Sequence, residues 1–255
     1  MGTLAIAVIP ARLHSTRLPR KVLCDIGGKT MIRHVYERTR LAQSVSRVVV
    51  ATDSEEVANL VRDWDGGVRM TDPGLPSGTA RIASIIDSIE GDIIVNVQGD
   101  QPLVEPELID QLVGSFRTSN ADIVTPVFQV SELADVTDPG IAKVVRGNDG
   151  RALYFSRSPI PHVRDAPIAE WPKRATFWGH YGIYAFRRHV LQGFNASLPL
   201  SRLEQAEKLE QLRFLEAGYS IYTIETKFRQ IAVDTAEDLA RVRRILISPS
   251  QCESG

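Results

Sequence analysis

The chain has 255 residues, 43% hydrophobic and 24% charged, with a formal net charge of −1. That is globular composition, and it lacks the broad basic face of a general nucleic-acid binder. No apolar run approaches the roughly 18 residues of a membrane span, Leu4–Ile9 is too short and lacks the basic flank of a signal-peptide core, and Cys24 and Cys252 form neither a disulfide framework nor a metal-ligand pattern. Together these predict a cytoplasmic protein without membrane insertion, one α/β domain over residues 1–247 and a loose tail over 248–255.

Leu4–Ile9 reads as a buried strand and Thr30–Leu41 as an amphipathic helix. Arg47–Ala51 is a second buried strand closed by Thr52 and Asp53, with Ser54 placed to cap a helix over Glu55–Arg62. Val68–Met70 is a weak strand, Thr79–Ile89 a helix, Asp92–Val97 a strand and Pro106–Phe116 a helix. Strands alternating with helices every dozen or so residues predict right-handed crossovers and a mainly parallel sheet covered on both faces, a three-layer Rossmann-like fold. The second half is less regular. Asp122–Phe128, Ala142–Val145, Ala152–Phe155, Gly182–Phe186 and Tyr219–Glu225 read as strands, some antiparallel, so the sheet is expected to be mixed. Arg202–Glu216 reads as one highly charged helix, Ala236–Leu246 as a closing helix capped by Asp234 and Thr235, and Pro159–Pro172 as a mobile loop.

In open α/β sheets ligands sit beyond the carboxyl ends of the strands, so polar residues directly after an apolar run carry the most information. The stretch IPARLHSTRLPRK (9–21) gathers Arg12, Arg17, Arg20 and Lys21 where the first strand ends. Four neighbouring cations repel one another unless an anion joins them. A polyphosphate suits them, because guanidinium grips phosphate oxygens in pairs and lysine adds a mobile charge. Arg20 is the member read as a bystander. The stretch is neither a Walker A loop nor the glycine fingerprint of a dinucleotide-binding dehydrogenase. Asp100, in Gln98-Gly99-Asp100 after the strand ending at Val97, is placed either to hold Mg²⁺ beside a phosphate or to serve a turn. Asp53 reads as a turn or cap residue. Ser77, Gly78 and Thr79 open a helix, where their backbone amides bind an anion or read the edge of a base, or the segment simply caps the helix.

Nine segments in this order resemble the 3-deoxy-manno-octulosonate cytidylyltransferase (CMP-Kdo synthetase) family: 9–21, GGKTMIRHVYER (27–38), VVVATDSEEV (48–57), SGTAR (77–81), IVNVQGDQP (94–102), ALYFSRSPIP (152–161), HYGIYAFR (180–187), LEQLRFLEAG (209–218) and VDTAEDLARV (233–242). The resemblance implies a nucleotidyltransferase fold and transfer of CMP from CTP to an acidic eight-carbon sugar, with release of pyrophosphate, for lipopolysaccharide synthesis. It implies that Arg12, Arg17 and Lys21 bind phosphates and that Asp100 and Asp234 hold Mg²⁺. Ser77, Gly78, Arg81 and Gln98 would approach the nucleotide, and Gln98, Arg157, His180, Tyr184, Glu210 and Gln211 the sugar. Without the resemblance, His180 is a core or surface histidine, Glu210 and Gln211 are one solvated helix face, and Asp234 is a helix cap. The family association also implies a homodimer formed by second-half strands and loops.

Mg²⁺ on the two aspartates would lower the pKa of the sugar's anomeric hydroxyl, which would attack the α-phosphorus in line while Lys21, Arg12 and Arg17 offset phosphate charge. The sequence departs from the family pattern at Ala80 and Gln101, where acids are common, and at Arg20, where glycine is common. The two lost acids predict a more positive cleft wall and leave open a related acidic sugar, such as one with an amino group at its far end, or a non-catalytic relative.

Overall fold

A computed structural model describes residues 4–116, 118–199, 201–229 and 231–247; the predicted 248–255 tail lies outside them. The chain divides into two compact units, one built from residues up to Asp110 together with the C-terminal stretch, the other from Gln111–Arg229.

The first unit begins with β1 (Ala5–Ala11), buried along its whole length. A small hairpin follows, β2 (Asp25–Ile26) and β3 (Lys29–Thr30), which the sequence reading missed. Then come α1 (Met31–Arg40), β4 (Arg47–Thr52), α2 (Glu55–Arg62), β5 (Gly67–Met70), α3 (Gly78–Ser84), β6 (Ile93–Asn96) and α4 (Pro106–Ser115), within which the boundary between the units falls. The strands lie in the order β5-β4-β1-β6, all parallel. Their side chains are almost continuously apolar because helices cover both faces of a parallel sheet. All four carboxyl ends therefore open on one side. Pro10 fits inside central β1 because the ladder to β6 has ended at Val8 opposite Asn96, so its missing N–H costs no bond there. The predicted helix over Thr79–Ile89 is shorter: α3 stops at Ser84 and a single 3₁₀ turn, Ile86–Ser88, follows.

The second unit comprises β7 (Ile123–Val130), α5 (Leu133–Thr137), β8 (Lys143–Arg146), β9 (Ala152–Ser156), α6 (Trp171–Arg174), β10 (Phe177–His180), β11 (Tyr184–Arg187), α7 (Arg188–Ser197), α8 (Arg202–Glu207), α9 (Gln211–Glu216) and β12 (Ile221–Glu225). β7 takes β12 in parallel and β10 and β11 antiparallel; β8 joins β10 to β9, again antiparallel. The strand pairing is thus mixed, in an α/β arrangement of strands and helices. The single helix expected over Arg202–Glu216 is two, α8 and α9, because Lys208 turns left-handed (φ 54°) and ends α8. The 159–172 stretch carries short helical turns over Ile168–Glu170 and into α6.

The chain then returns to the first unit as α10 (Ala236–Ile247). Leu239 and Val242 of this helix join Ile26, Met31 and Val233 in a buried cluster. Burying each such side chain contributes about 1.5–3 kcal/mol. Arg243 adds two hydrogen bonds to the Asp25 carbonyl, at 2.9 and 2.7 Å. This anchoring carries Asp234 across the sequence to the cationic loop.

Candidate active site

A cavity of about 190 Å³ opens beyond the carboxyl ends of the first unit's strands. Arg12, Ser15 and Lys21 line it from the loop after β1, Leu75, Ser77, Gly78 and Arg81 from the β5–α3 connection, and Gln98, Gly99 and Asp100 from the segment after β6. Gly99 allows that last segment to pass the end of β1, since a Cβ there would lie 2.8 Å from the Pro10 carbonyl oxygen.

Lys21 is the centre of the site. Its Nζ donates to Asp100 Oδ2 at 2.6 Å and to Asp234 Oδ1 at 3.0 Å, with the lysine side chain 13% exposed. Burial opposes the ammonium charge, but Asp100 and then Asp234 outweigh it and raise the lysine above its ordinary pKa. The backbone makes the same junction, as Val233 N–H donates to the Asp100 carbonyl at 2.9 Å. Arg17 pairs with Asp234 at 3.1 Å and stays largely exposed. Arg12 is exposed at the cavity wall and has no hydrogen-bond or ion-pair partner among the described residues. Arg20 turns left-handed (φ 56°), a conformation natural to glycine, and its guanidinium pairs with Glu56 of α2.

Asp234 does not cap α10. Thr235 Oγ1 accepts from Asp238 N–H at 3.2 Å, while the Asp238 carboxylate accepts from the N–H groups of Asp234 and Thr235 at 3.0 and 2.9 Å. This reciprocal cap leaves the Asp234 carboxylate free to face the cations. Ser77 does cap: its Oγ accepts from Ala80 N–H at 3.1 Å. Gln98 donates to Asn96 Oδ1 at 3.0 Å, keeping its amide at the cavity wall. Asp53 is no cap either, as Ser54 Oγ takes the Val57 N–H at the start of α2. The Asp53 carboxylate instead pairs with Arg81 at 3.0 Å, both side chains buried. Ala80 and Gln101 are buried and absent from the cavity lining, each next in sequence to a residue that lines it, Arg81 and Asp100. Gln101 has neither amide atom hydrogen-bonded among the described residues.

Asp100 and Asp234 suit a divalent cation held jointly with phosphate. Two carboxylates already share one compact cation, and Mg²⁺ takes one or two protein carboxylates and fills its shell with phosphate and water.

In the second unit, His180 at the end of β10 stands against Phe155 and Tyr184, with ring centroids 5.1 and 5.3 Å away. Its Nε2 lies 2.9 Å from Thr125 Oγ1, which donates to the Ile183 carbonyl at 2.8 Å. With the hydroxyl proton so committed, the ring must be the donor, which assigns the Nε2–H tautomer and leaves Nδ1 an acceptor. Tyr184 O–H donates to Gln211 Oε1 at 3.2 Å. Burial, then the Glu210 charge, push that phenol well above its ordinary pKa. Gln211 is 4% exposed and its Nε2 donates to no described residue. His180, Tyr184, Glu210 and Gln211 therefore form one cluster, although sequence alone made Glu210 and Gln211 a solvated face. Arg157 is engaged differently. Its guanidinium donates to the carbonyls of Glu207 at 2.7 Å, Pro139 at 2.7 Å and Lys208 at 3.2 Å, clamping the α8–α9 turn.

Loss of hydration pushes the His180 imidazole down to about 3. A folded value below the unfolded one means that the unfolded chain takes up a proton first on acidification. Stability is therefore complete above the ordinary histidine value near 6.5 and drains away as pH falls toward 3. The ceiling is about 1.4 kcal/mol per pH unit, and the half-buried ring realises only part of it. His180→Asn, measured by urea unfolding at pH 7 and pH 4.5, is expected to lose less stability between the two than the wild type does. Equal losses would remove His180 from the acid response.

The profile of the Cytidylyltransferase family matches residues 6–227. The 3-deoxy-manno-octulosonate cytidylyltransferase of Geobacter metallireducens is 46% identical over 242 residues, covering 92% of this chain and 95% of its own length. That of Chlorobium phaeovibrioides is 44% identical over 250 residues, covering 97% and 99%. The solved structure of CMP:2-keto-3-deoxy-manno-octonic acid synthetase complexed with CTP superposes with a TM-score of 0.90 at 41% identity, over 96% of this chain and 99% of that one. With a cation-lined cavity beyond its parallel strands, its paired aspartates and likeness of this extent, the chain belongs to the cytidylyltransferase family, in the 3-deoxy-manno-octulosonate cytidylyltransferase group.

Proposed function

We propose that this protein transfers CMP from CTP to the anomeric hydroxyl of 3-deoxy-manno-octulosonate, releasing pyrophosphate and activating the sugar for lipopolysaccharide assembly. The observation that carries the reading is the junction of Lys21 with Asp100 and Asp234, of which Lys21 and Asp100 line the same cavity as Arg12 and Ser77. CTP enters with its triphosphate toward Arg12, Arg17 and Lys21. Ser77, Gly78, Arg81 and Gln98 adjoin the remainder of the nucleotide. Asp100 and Asp234 would hold Mg²⁺, which supplies charge neutralisation at the phosphates and acidifies a bound hydroxyl.

Phosphoryl-type transfer asks for positioning and charge stabilisation more than for covalent chemistry. Lys21 is built for both. Its mobile ammonium, already desolvated, can move from carboxylate to phosphate oxygen and follow charge as it builds on the leaving pyrophosphate. Arg12 can take phosphate oxygens without first breaking an ion pair to any of the described residues. In the second unit, the buried Gln211 Nε2 donates to no described residue and His180 Nδ1 is left an acceptor, polar groups suited to sugar hydroxyls. Arg157 supports that neighbourhood through the α8–α9 turn and supplies positive charge for a sugar acid. The protein is further proposed to act as a cytoplasmic homodimer, since CTP is an intracellular nucleotide and the resemblance implies a dimer.

The test is a pyrophosphate-release assay crossing each nucleoside triphosphate with 3-deoxy-manno-octulosonate, its 8-amino analogue and a neutral sugar, with and without Mg²⁺. Release is expected only with CTP, Mg²⁺ and an acidic sugar, fastest with 3-deoxy-manno-octulosonate. No release from CTP with any sugar acid would overturn the function, and preference for the amino analogue would overturn the sugar.

A further inference from the structure

We propose that Asp53 is a positioning residue for the nucleotide site, its buried carboxylate fixing the start of the cationic loop and the Arg81 guanidinium in one geometry; this rests on the reading that CTP occupies the cavity. Asp53 directly follows β4, at the same sheet end as the other cavity residues. Its side chain is 7% exposed and that of Arg81 3%. Oδ1 accepts the Leu13 N–H at 3.2 Å, one residue beyond Arg12, and Oδ2 accepts Arg81 Nη2 at 3.0 Å. The other guanidinium nitrogen, Nη1, donates to Thr71 Oγ1 and to the Asp72 carbonyl at 3.4 Å.

One carboxylate thus ties together the segments that follow β1, β4 and β5. A buried ion pair is weak evidence for net stability, because desolvation offsets most of its attraction. What a pair hydrogen-bonded on both sides supplies is a fixed arrangement. Here the fixed groups are the backbone at Leu13, which aims Arg12, and Arg81, which shares the cavity with Arg12 and Lys21. Neutralising Arg81 also lowers the repulsion that three cations around one cavity would otherwise feel. Without Asp53, the loop start loses its anchor and Arg81 loses the partner that keeps its charge from competing for the triphosphate.

The experiment is Asp53→Asn in the full chain, with CTP binding measured by calorimetry and turnover by pyrophosphate release. Asparagine keeps an acceptor for Leu13 but removes the charge and sets an amide donor against Arg81. The Kd and KM for CTP are expected to rise about tenfold, equal to about 1.4 kcal/mol, while the KM for the sugar acid stays within twofold. A purely structural role would lower the melting temperature and the active fraction without moving the KM for CTP, and that result overturns the proposal. Should Asp53→Asn fail to fold by circular dichroism, Thr71→Val removes one acceptor from Arg81 without adding charge. It is expected to raise the Kd for CTP about threefold, and an unchanged value overturns the proposal. A wild-type protein that does not bind CTP at all overturns the reading of the cavity and the proposal with it.

Discussion

Asp100→Asn is expected to leave the fold intact and to lower turnover about a thousandfold, or roughly 4 kcal/mol of transition-state stabilisation. The side chain is 28% exposed and lies on a loop, so no core contact is lost. Its main structural partner is Lys21, which keeps Asp234 at 3.0 Å and so is not left as an unpaired buried cation. The loss falls on chemistry: a neutral amide holds Mg²⁺ poorly, and the triphosphate loses the ion that would offset its charge beside Lys21. The check is kcat at saturating CTP and sugar acid, alongside thermal unfolding. A melting temperature within a few degrees of wild type, with turnover reduced a thousandfold, is the expected pair of results. Near-wild-type turnover would remove Asp100 from the metal site.

What could be read from the residues follows how local the determining physics is. β1, β4 and β6 were legible because a two-sided parallel strand is an uninterrupted apolar run, and the ligand side followed from where those runs stop. Arg12 stands directly after such a stop, Asp100 shortly after the next, and Lys21 at the far end of the loop that Arg12 begins. Asp234 is different. Its sequence setting is that of a helix cap, and only the burial of Leu239 and Val242 against Ile26 and Met31 brings it to Lys21. Its role was reachable through family resemblance but not through local pattern. Asp53 was visible as a polar residue after a strand, yet its ion pair with Arg81 depends on a partner 28 residues away. β10 was missed because Phe177-Trp-Gly-His180 is short and contains glycine. The fold needs that glycine, since a Cβ at Gly179 would sit 2.5 Å from the Phe128 ring. The break between α8 and α9 was hidden because Lys208 is a good helix former that tertiary contacts hold left-handed.

Lys21→Met separates two roles that the wild-type lysine combines. The ammonium occupies the point shared by Asp100 and Asp234, so in the nucleotide-free protein it competes with any divalent cation for the same oxygens. Methionine keeps most of the side-chain length and removes the charge. The two carboxylates then keep only the largely exposed Arg17, on Asp234, as a counterion, which favours a cation that can take the place of the ammonium. Calorimetric titration of the nucleotide-free variant with MgCl₂ is therefore expected to show affinity raised about tenfold, on the order of 1.4 kcal/mol. Turnover moves the other way and falls a hundredfold or more, because the triphosphate has lost its mobile cation. The pH dependence gives a second check. Lys21 has a folded-state pKa above its ordinary value, so the contribution of the ion cluster to stability is complete below pH 10.5 and is lost as pH rises through the folded value. At neutral pH the wild type should exceed the variant in stability, and the gap should close only in strongly alkaline solution. Unchanged Mg²⁺ affinity together with undiminished turnover would show that the ammonium neither guards the carboxylates nor serves the phosphates, and the assignment of Lys21 to the centre of the site would fall.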